Sequence, residues 1–289
     1  SGSMGWNLAG QQLSTGGELN YPYEVKTDSA GDVYVLQQGN TYYNGKNYRM
    51  HVFGSDGTLK RRMMPFGYNW SSYYRPNCSG QTNINKKFDI YDDKIYALDS
   101  GYYSGTIKVF SKTGQCLQVK NDILYPTYGR YPSKFESIAV TENYIFLGSG
   151  NCSFYCGTTH NAAGSITVLR KSNFSHVSTI NTSRYGIKDI TSLTVNSNET
   201  KLLVTSKYYS TPRVDVFNLS SWSASYSRQI GLSSRCYNSS CINGKHNQPW
   251  DAAFDSSGNI YVIDDYGARI QKFNSSGDYQ SKRTWTTNW

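Results

Sequence analysis

Runs of alternating apolar and polar residues recur along the whole chain, in groups that keep one order. One group reads Pro249-Trp250-Asp251-Ala252-Ala253-Phe254, the turn Asp255-Ser256-Ser257-Gly258, then Asn259-Ile260-Tyr261-Val262-Ile263-Asp264. A loop follows, then Arg269-Ile270-Gln271-Lys272-Phe273 and a second turn through Ser276-Gly277. Period-two alternation rich in Val, Ile, Tyr and Phe predicts half-buried strands, and the Gly, Asn, Ser and Asp between them predict tight turns. Four earlier groups share the rhythm: 21–28, 31–35 and 49–53; 87–90, 94–99 and 107–110; 137–140, 144–147 and 166–169; 192–195, 201–204 and 214–217. A fourth run in each group is less clear, as at 279–285. No long stripe of period 3.6 appears, so helix is expected to be minor.

A single group of this kind cannot bury its own apolar faces, but repeated groups can stack into a closed ring of sheets. The pattern therefore predicts an all-β chain, a five-bladed β-propeller with four-stranded antiparallel blades. Glu24, Lys87, Ser137, Ser192 and Asp251 hold the same place in the five groups. A four-stranded blade needs about 40–45 residues, so each interval between these positions holds one blade plus an insertion, and none has room for two. Residues 17–289 are expected to form one propeller domain. Residues 1–16 read as an expression remnant, Ser1-Gly2-Ser3-Met4, followed by a segment, Gly5-Trp6-Asn7-Leu8-Ala9, that could close the ring and remove sheet edges.

The groups resemble the NHL-repeat family of β-propellers. The fifth carries Pro249 ahead of Ala253 and Asp255, then Gly258-Asn259-Ile260-Tyr261-Val262 with Asp264, then Arg269-Ile270-Gln271 with Phe273. The first matches through Gly16-Gly17-Glu18-Leu19-Asn20-Tyr21-Pro22. Groups two to four lack the Pro and most of the Asp and Gly landmarks. The family is more often six-bladed, which keeps six blades as the alternative architecture. Some propellers resembling this family are lyases or hydrolases with an axial metal, and others bind RNA on a basic face.

Insertions are distributed unevenly. The connections from second to third strand (37–48, 100–105, 148–164, 206–212) and from one group to the next (65–86, 120–134, 231–248) are long, whereas the other turns are short. In a propeller the long set shares one face, conventionally the top, and long loops on a rigid scaffold are where function concentrates. These loops carry aromatic residues whose flat faces and hydroxyls suit sugars or peptides at little rotamer cost. The candidate binding residues are Tyr42, Tyr43, Trp70, Tyr73, Tyr74, Tyr102, Tyr103, Tyr155, Tyr208, Tyr209, Tyr237, Trp250 and Tyr266. Packing beneath their own loops is the competing role for such tyrosines.

The equivalent positions Glu24, Lys87, Ser137, Ser192 and Asp251 are expected to ring the channel mouth. Glu24 and Asp251 would offer two carboxylates to a cation or to acid–base work, while Lys87 would neutralise a hydrated polar channel. An axial metal site needs His, Asp or Glu converging from several blades. The chain has 4 His: His51 and His176 are placed away from the axis, and His160 and His246 in long loops. No nucleophile elbow, metalloprotease or phosphate-loop motif occurs, and Asp264-Asp265 reads as turn chemistry. No catalytic residue, metal ligand or cofactor is assigned.

Composition then narrows the class. The 26 Tyr and 26 Gly stand beside only 17% charged residues. A formal charge of +9 favours acidic partners, but the charge is scattered and no RNA-stacking motif is present. The 6 Cys lie mostly in polar loops, and proximity suggests disulfides Cys152–Cys156, Cys236–Cys241 and Cys78–Cys116, hence an oxidising compartment. Sequons stand at Asn69, Asn77, Asn151, Asn173, Asn181, Asn198, Asn218, Asn238 and Asn274. No apolar run is long enough to span a bilayer. The expectation is an extracellular or cell-surface, monomeric module that binds a glycan or an extracellular protein, or serves in adhesion. The alternative is a lyase or hydrolase with an axial divalent metal near Glu24 and Asp251; a third reading is an RNA-binding propeller, but disulfides and sequons argue against nucleic acid as a partner.

Overall fold

The computed structural model describes residues 22–38, 48–63, 84–100, 104–124, 127–128, 131–132, 134–150, 164–208, 211–233, 242–265 and 267–284. Strands β1 (Pro22–Thr27), β2 (Val33–Gln38), β3 (Tyr48–Phe53) and β4 (Leu59–Met63) form blade 1. Strands β5 (Ile84–Tyr91), β6 (Lys94–Ser100), β7 (Ser104–Ser111) and β8 (Cys116–Leu124) form blade 2. A small hairpin, β9 (Thr127–Tyr128) and β10 (Tyr131–Pro132), precedes blade 3, which is β11 (Phe135–Val140), β12 (Tyr144–Ser149), β13 (Ser165–Arg170) and β14 (His176–Asn181). Blade 4 is β15 (Ile190–Val195), β16 (Lys201–Ser206), β17 (Arg213–Ser220) and β18 (Ser223–Ile230). A parallel pair, β19 (Leu232–Ser233) and β20 (Lys245–His246), leads to blade 5, which is β21 (Pro249–Phe254), β22 (Ile260–Asp264), β23 (Arg269–Phe273) and β24 (Tyr279–Thr284).

The five sheets are antiparallel meanders of four strands, and the fold is a five-bladed β-propeller. The fourth strands, obscure in the sequence, are all present. The one helical element among the described residues is a 3-10 turn at Ser183–Tyr185. The chain divides into two compact units, Ser1–Ile123 with blades 1 and 2, and Leu124–Trp289 with blades 3 to 5. The proposed ring-closing segment at 5–9 lies outside the described residues.

Packing within each unit explains the sequence pattern. In the first unit Tyr34, Leu36, Met50 and Val52 of blade 1 pack on Phe88, Ile95, Ala97 and Phe110 of blade 2. In the second, Ala139, Phe146, Ile166 and Val168 of blade 3 pack on Leu193, Leu202, Val204 and Phe217 of blade 4. The opposite face of blade 4, Leu203, Val214, Val216 and Ile230, packs on Ala252, Ile260, Val262 and Phe273 of blade 5. Blade 4 is thus covered on both faces, which is why Leu202-Leu203-Val204 reads as a continuous apolar run rather than an alternation. The outermost strand β24 packs Tyr279 against the core and is polar and exposed from Gln280 onward. Phe53, Phe110, Leu169, Phe217 and Phe273 occupy one repeated place near the end of the third strand, all buried. Burying each such side chain contributes about 1.5–3 kcal/mol.

The two ends of each blade differ. The turns from first to second and from third to fourth strand are short. Several close on a left-handed residue, as at Gly31 (φ 82°) and Gly258 (φ 78°), where a side chain would be strained. At Gly258 the turn is held by Asp255 Oδ1, which accepts the N–H groups of Ser257 (3.0 Å) and Asn259 (2.8 Å). The remaining connections, such as 64–83, 150–164 and 231–248, all leave the opposite end of their blades. The long connections are therefore confined to one blade end, as the sequence predicts, but not every connection at that end is long: β6 and β7 are joined by 101–103 alone, against the expected long loop at 100–105, and β22 and β23 by 265–268.

Candidate functional site

The first strands lie innermost within each unit: β1 runs beside β5, β11 beside β15, and β15 beside β21. Each first strand shifts register against its second strand just before the position identified from sequence. Glu24 pairs with Leu36, Lys87 with Leu98, Ser137 with Gly148, Ser192 with Thr205 and Asp251 with Ile263, each immediately after an irregularity. Such bulges re-aim side chains and terminate pairing, and they concentrate beside binding sites. In the second unit the extra residues are Glu136, Thr191 and Trp250. One backbone hydrogen bond braces all three bulges: Gly150 N–H to Lys134 O (2.8 Å), Lys207 N–H to Asp189 O (3.2 Å) and Asp265 N–H to Gln248 O (3.1 Å).

These bulges lie at the long-loop end, and what they carry is joined across blades. Lys207, one residue beyond β16, places Nζ 4.8 Å from the centre of the Trp250 ring and 3.7 Å from Glu136 Oε2. Lys188, in the connection before β15, places Nζ 5.1 Å from the Tyr208 ring centre. Two ammonium groups held over aromatic faces therefore stand on the end of blade 4, an arrangement that stabilises both partners where water is partly excluded.

The positions expected at the channel mouth pair within each unit. Glu24 is buried; its Oε2 accepts the Phe88 N–H (2.8 Å), and its Oε1 lies 3.8 Å from Lys87 Nζ and 3.9 Å from Lys26 Nζ. Ser192 donates its hydroxyl to Asp251 Oδ1, which also accepts the Ala252 N–H (2.8 Å). Ser137 Oγ is buried and has no hydrogen-bond partner among the described residues. Both carboxylates are thus engaged by protein donors. No group of three or more His, Cys, Asp or Glu side chains that could hold a metal occurs among the described residues.

Asp264 is buried at the end of β22 and anchors structure. It accepts Arg269 Nε (3.0 Å) and Nη2 (2.8 Å), and also the backbone N–H groups of Asn247 and Gln248. His246 lies in β20, fully buried, donating Nε2–H to Ile230 O (2.8 Å), while Nδ1 has no partner among the described residues. Burial pushes its pKa below the ordinary histidine value, against the opposing pull of the Ile230 carbonyl and the Asp264 charge. His176 opens β14 and bonds Thr179.

Of the aromatic candidates, Tyr208 and Trp250 fall among the described residues, and each meets a lysine. Tyr42, Tyr43, Trp70, Tyr73, Tyr74, Tyr102, Tyr103, Tyr155, Tyr209, Tyr237 and Tyr266 lie outside them, as do His160, Cys78, Cys152, Cys156, Cys236 and Cys241. Cys116, at the start of β8, is disulfide-bonded. Sequence reasoning missed Glu136, Lys188 and Lys207. Glu136 stands one place before Ser137 just as Trp250 stands before Asp251, so recognising the bulge would have found it.

Residues 247–273, covering β21 to β23, match the NHL repeat, and the chain is an NHL-repeat-like β-propeller. No curated protein matches the chain. Among solved structures it is similar to a functionally unknown protein from Desulfotomaculum acetoxidans (13% identity, 92% of this chain and 86% of that one, TM-score 0.52). It is also similar to a luciferin-regenerating enzyme (11% identity, 92% and 76%, TM-score 0.57). A third is a catalytically inactive virginiamycin B lyase from Staphylococcus aureus with quinupristin (13% identity, 92% and 71%, TM-score 0.51). At these identities the likeness is one of fold.

Proposed function

We propose that this propeller is a recognition module for glycans or glycoproteins, binding at the long-loop ends of its blades. The observation that carries the reading is Trp250: a bulge re-aims it at that end, and it is half-buried against Lys207. A fixed indole with an adjacent cation offers the flat apolar face and polar edge that sugar rings require. Enzymatic use of Glu24 and Asp251 has no comparable support, since each carboxylate already has its donors.

An extracellular or cell-surface setting fits the reading. The Cys116 disulfide suits an oxidising compartment, and the sequon residues Asn173, Asn181, Asn198 and Asn218 are exposed. Pairings Cys78–Cys116, Cys152–Cys156 and Cys236–Cys241 belong to this proposal, as does a monomeric state. A glycan array tests it directly. Selective binding is expected, with Trp250→Ala weakening it by about 1–3 kcal/mol. An array on which no glycan is retained defeats the proposal.

A further inference from the structure

Asn243-Gly244, in the connection between β19 and β20, carries a chemistry that the fold holds back. Where glycine follows asparagine, no side chain shields the glycine nitrogen, and it can attack the asparagine Cγ. The N–Cγ bond forms, the Cγ–Nδ2 bond breaks, and ammonia leaves with the proton that the backbone nitrogen gives up. Water then opens the resulting succinimide to aspartate or isoaspartate, so neither oxidant nor reductant is needed. The sequence holds two such pairs, Asn44-Gly45 and Asn243-Gly244, each followed by lysine. Asn44 lies outside the described residues.

In the fold the reacting pair is split between solvent and interior. Asn243 is exposed, whereas Gly244 is buried with φ 75°, a left-handed conformation that glycine adopts without strain. Gly244 N–H, the nucleophile in waiting, donates to Gln271 Oε1 (2.9 Å) in a buried hydrogen bond. Gly244 O accepts the Leu232 N–H (2.7 Å), and Lys245 N–H closes the turn on Ile242 O (3.2 Å). Gln271 is itself fully buried in β23 and donates Nε2 to Lys245 O (2.9 Å), so one side-chain amide grips Gly244 and Lys245 together. Attack on Cγ requires base to remove the Gly244 proton and the nitrogen to swing toward the Asn243 side chain. Both require the Gln271 bond to open first, because a buried, hydrogen-bonded amide meets base only through local opening. We propose that Asn243 is a latent site of modification and that Gln271 is the positioning residue that keeps it closed. Reaction there would put a carboxylate in the connection between blades 4 and 5, at their long-loop end, and isoaspartate would add a methylene to the backbone of that turn. The proposal is independent of any ligand.

The experiment incubates the full chain in mildly alkaline buffer and follows the peptide that contains Asn243 by its amide-to-acid mass change and its isoaspartate content. Native Asn243 is expected to react about tenfold or more slowly than the same residue in guanidinium chloride. Gln271→Met removes the acceptor and is expected to speed the native reaction by about five- to tenfold. Gln271→Glu keeps an acceptor for Gly244 N–H, one too weak as a base to take its proton, while losing the bond to Lys245 O. It is expected to leave Asn243 slow although the fold is weakened. Native reaction as fast as in denaturant overturns the proposal without any variant. So does a Gln271→Met protein, folded by near-ultraviolet circular dichroism, that reacts at the wild-type pace. A Gln271→Glu protein that reacts as fast as Gln271→Met also overturns it, since general loosening would then be the cause. Should Gln271→Met not fold, wild type and Gln271→Glu decide: slow native reaction in both supports the guard, and fast reaction in either removes it.

Discussion

Blades 4 and 5 fasten the same corner with different residues. In blade 5, Asp264 of β22 faces Arg269 of β23 across the sheet, and Arg269 Nη2 reaches Lys245 O (2.6 Å) in the preceding connection. In blade 4 the equivalents are Ser206 and Arg213, so the acid opposite the arginine is gone. Arg213 instead binds Asp215, two residues along its own strand, through Nε (2.7 Å) and Nη2 (2.6 Å), and donates Nη1 to Tyr185 O (2.8 Å). Burial pushes the Asp215 carboxyl upward, and the Arg213 charge opposes that rise. Blade 5 has Gln271 where blade 4 has Asp215, and Gln271 binds the same connection through Lys245 O and Gly244 N. The arginine and its grip on the incoming connection are shared; only the acid has moved. Blade 4 looks divergent as text because that exchange erases the motif while leaving its mechanics in place.

The sharpest break in this comparison is Asp264→Ala, which leaves a buried guanidinium without its carboxylate and frees the Asn247 and Gln248 N–H groups. A loss of about 3–5 kcal/mol is expected in denaturant unfolding. A loss below about 1 kcal/mol would mean that the clamp is incidental. The second test exchanges the two solutions. Asp215→Gln alone should destabilise, and adding Ser206→Asp in that background should recover about 1–2 kcal/mol as a coupling energy, because the new acid sits opposite Arg213. Strict additivity would show that the two arrangements are not interchangeable.

The smallest effect concerns pH. Among the described residues, the connection into blade 5 places a buried histidine, His246, beside the clamp. Its folded pKa is lowered, so it stays neutral in the fold while the unfolded chain takes up a proton. Stability from this group is therefore complete above the ordinary value of 6.5 and declines as pH falls below it toward the lowered folded value. His246→Gln should flatten the stability–pH slope in that interval, read from urea midpoints. An unchanged slope would assign the dependence elsewhere.

Strand order, blade count and the segregation of long connections were all readable from period-two runs and turn residues, because burial of one sheet face imposes that period. The shared strand position of Glu24, Lys87, Ser137, Ser192 and Asp251 was readable too: each follows a register shift in its first strand. The bulge was not. An extra residue leaves no compositional mark: Glu136, Thr191 and Trp250 share a backbone geometry and no chemistry. Lys207 was equally hidden, since its partners Glu136 and Trp250 lie far apart in sequence and meet only when three blades stack. The Asp264-Asp265 pair read as turn chemistry because its motif is local, yet Asp264 does more by closing onto Arg269 and the preceding connection.

The backbone brace repeated at Lys134–Gly150, Asp189–Lys207 and Gln248–Asp265 has an evolutionary corollary. It is made entirely by main-chain atoms, so the residue it displays can be exchanged without renegotiating the scaffold. Acid, hydroxyl and indole already occupy the three copies in one molecule. Selectivity in such a protein can drift one blade at a time while the wheel beneath stays the same.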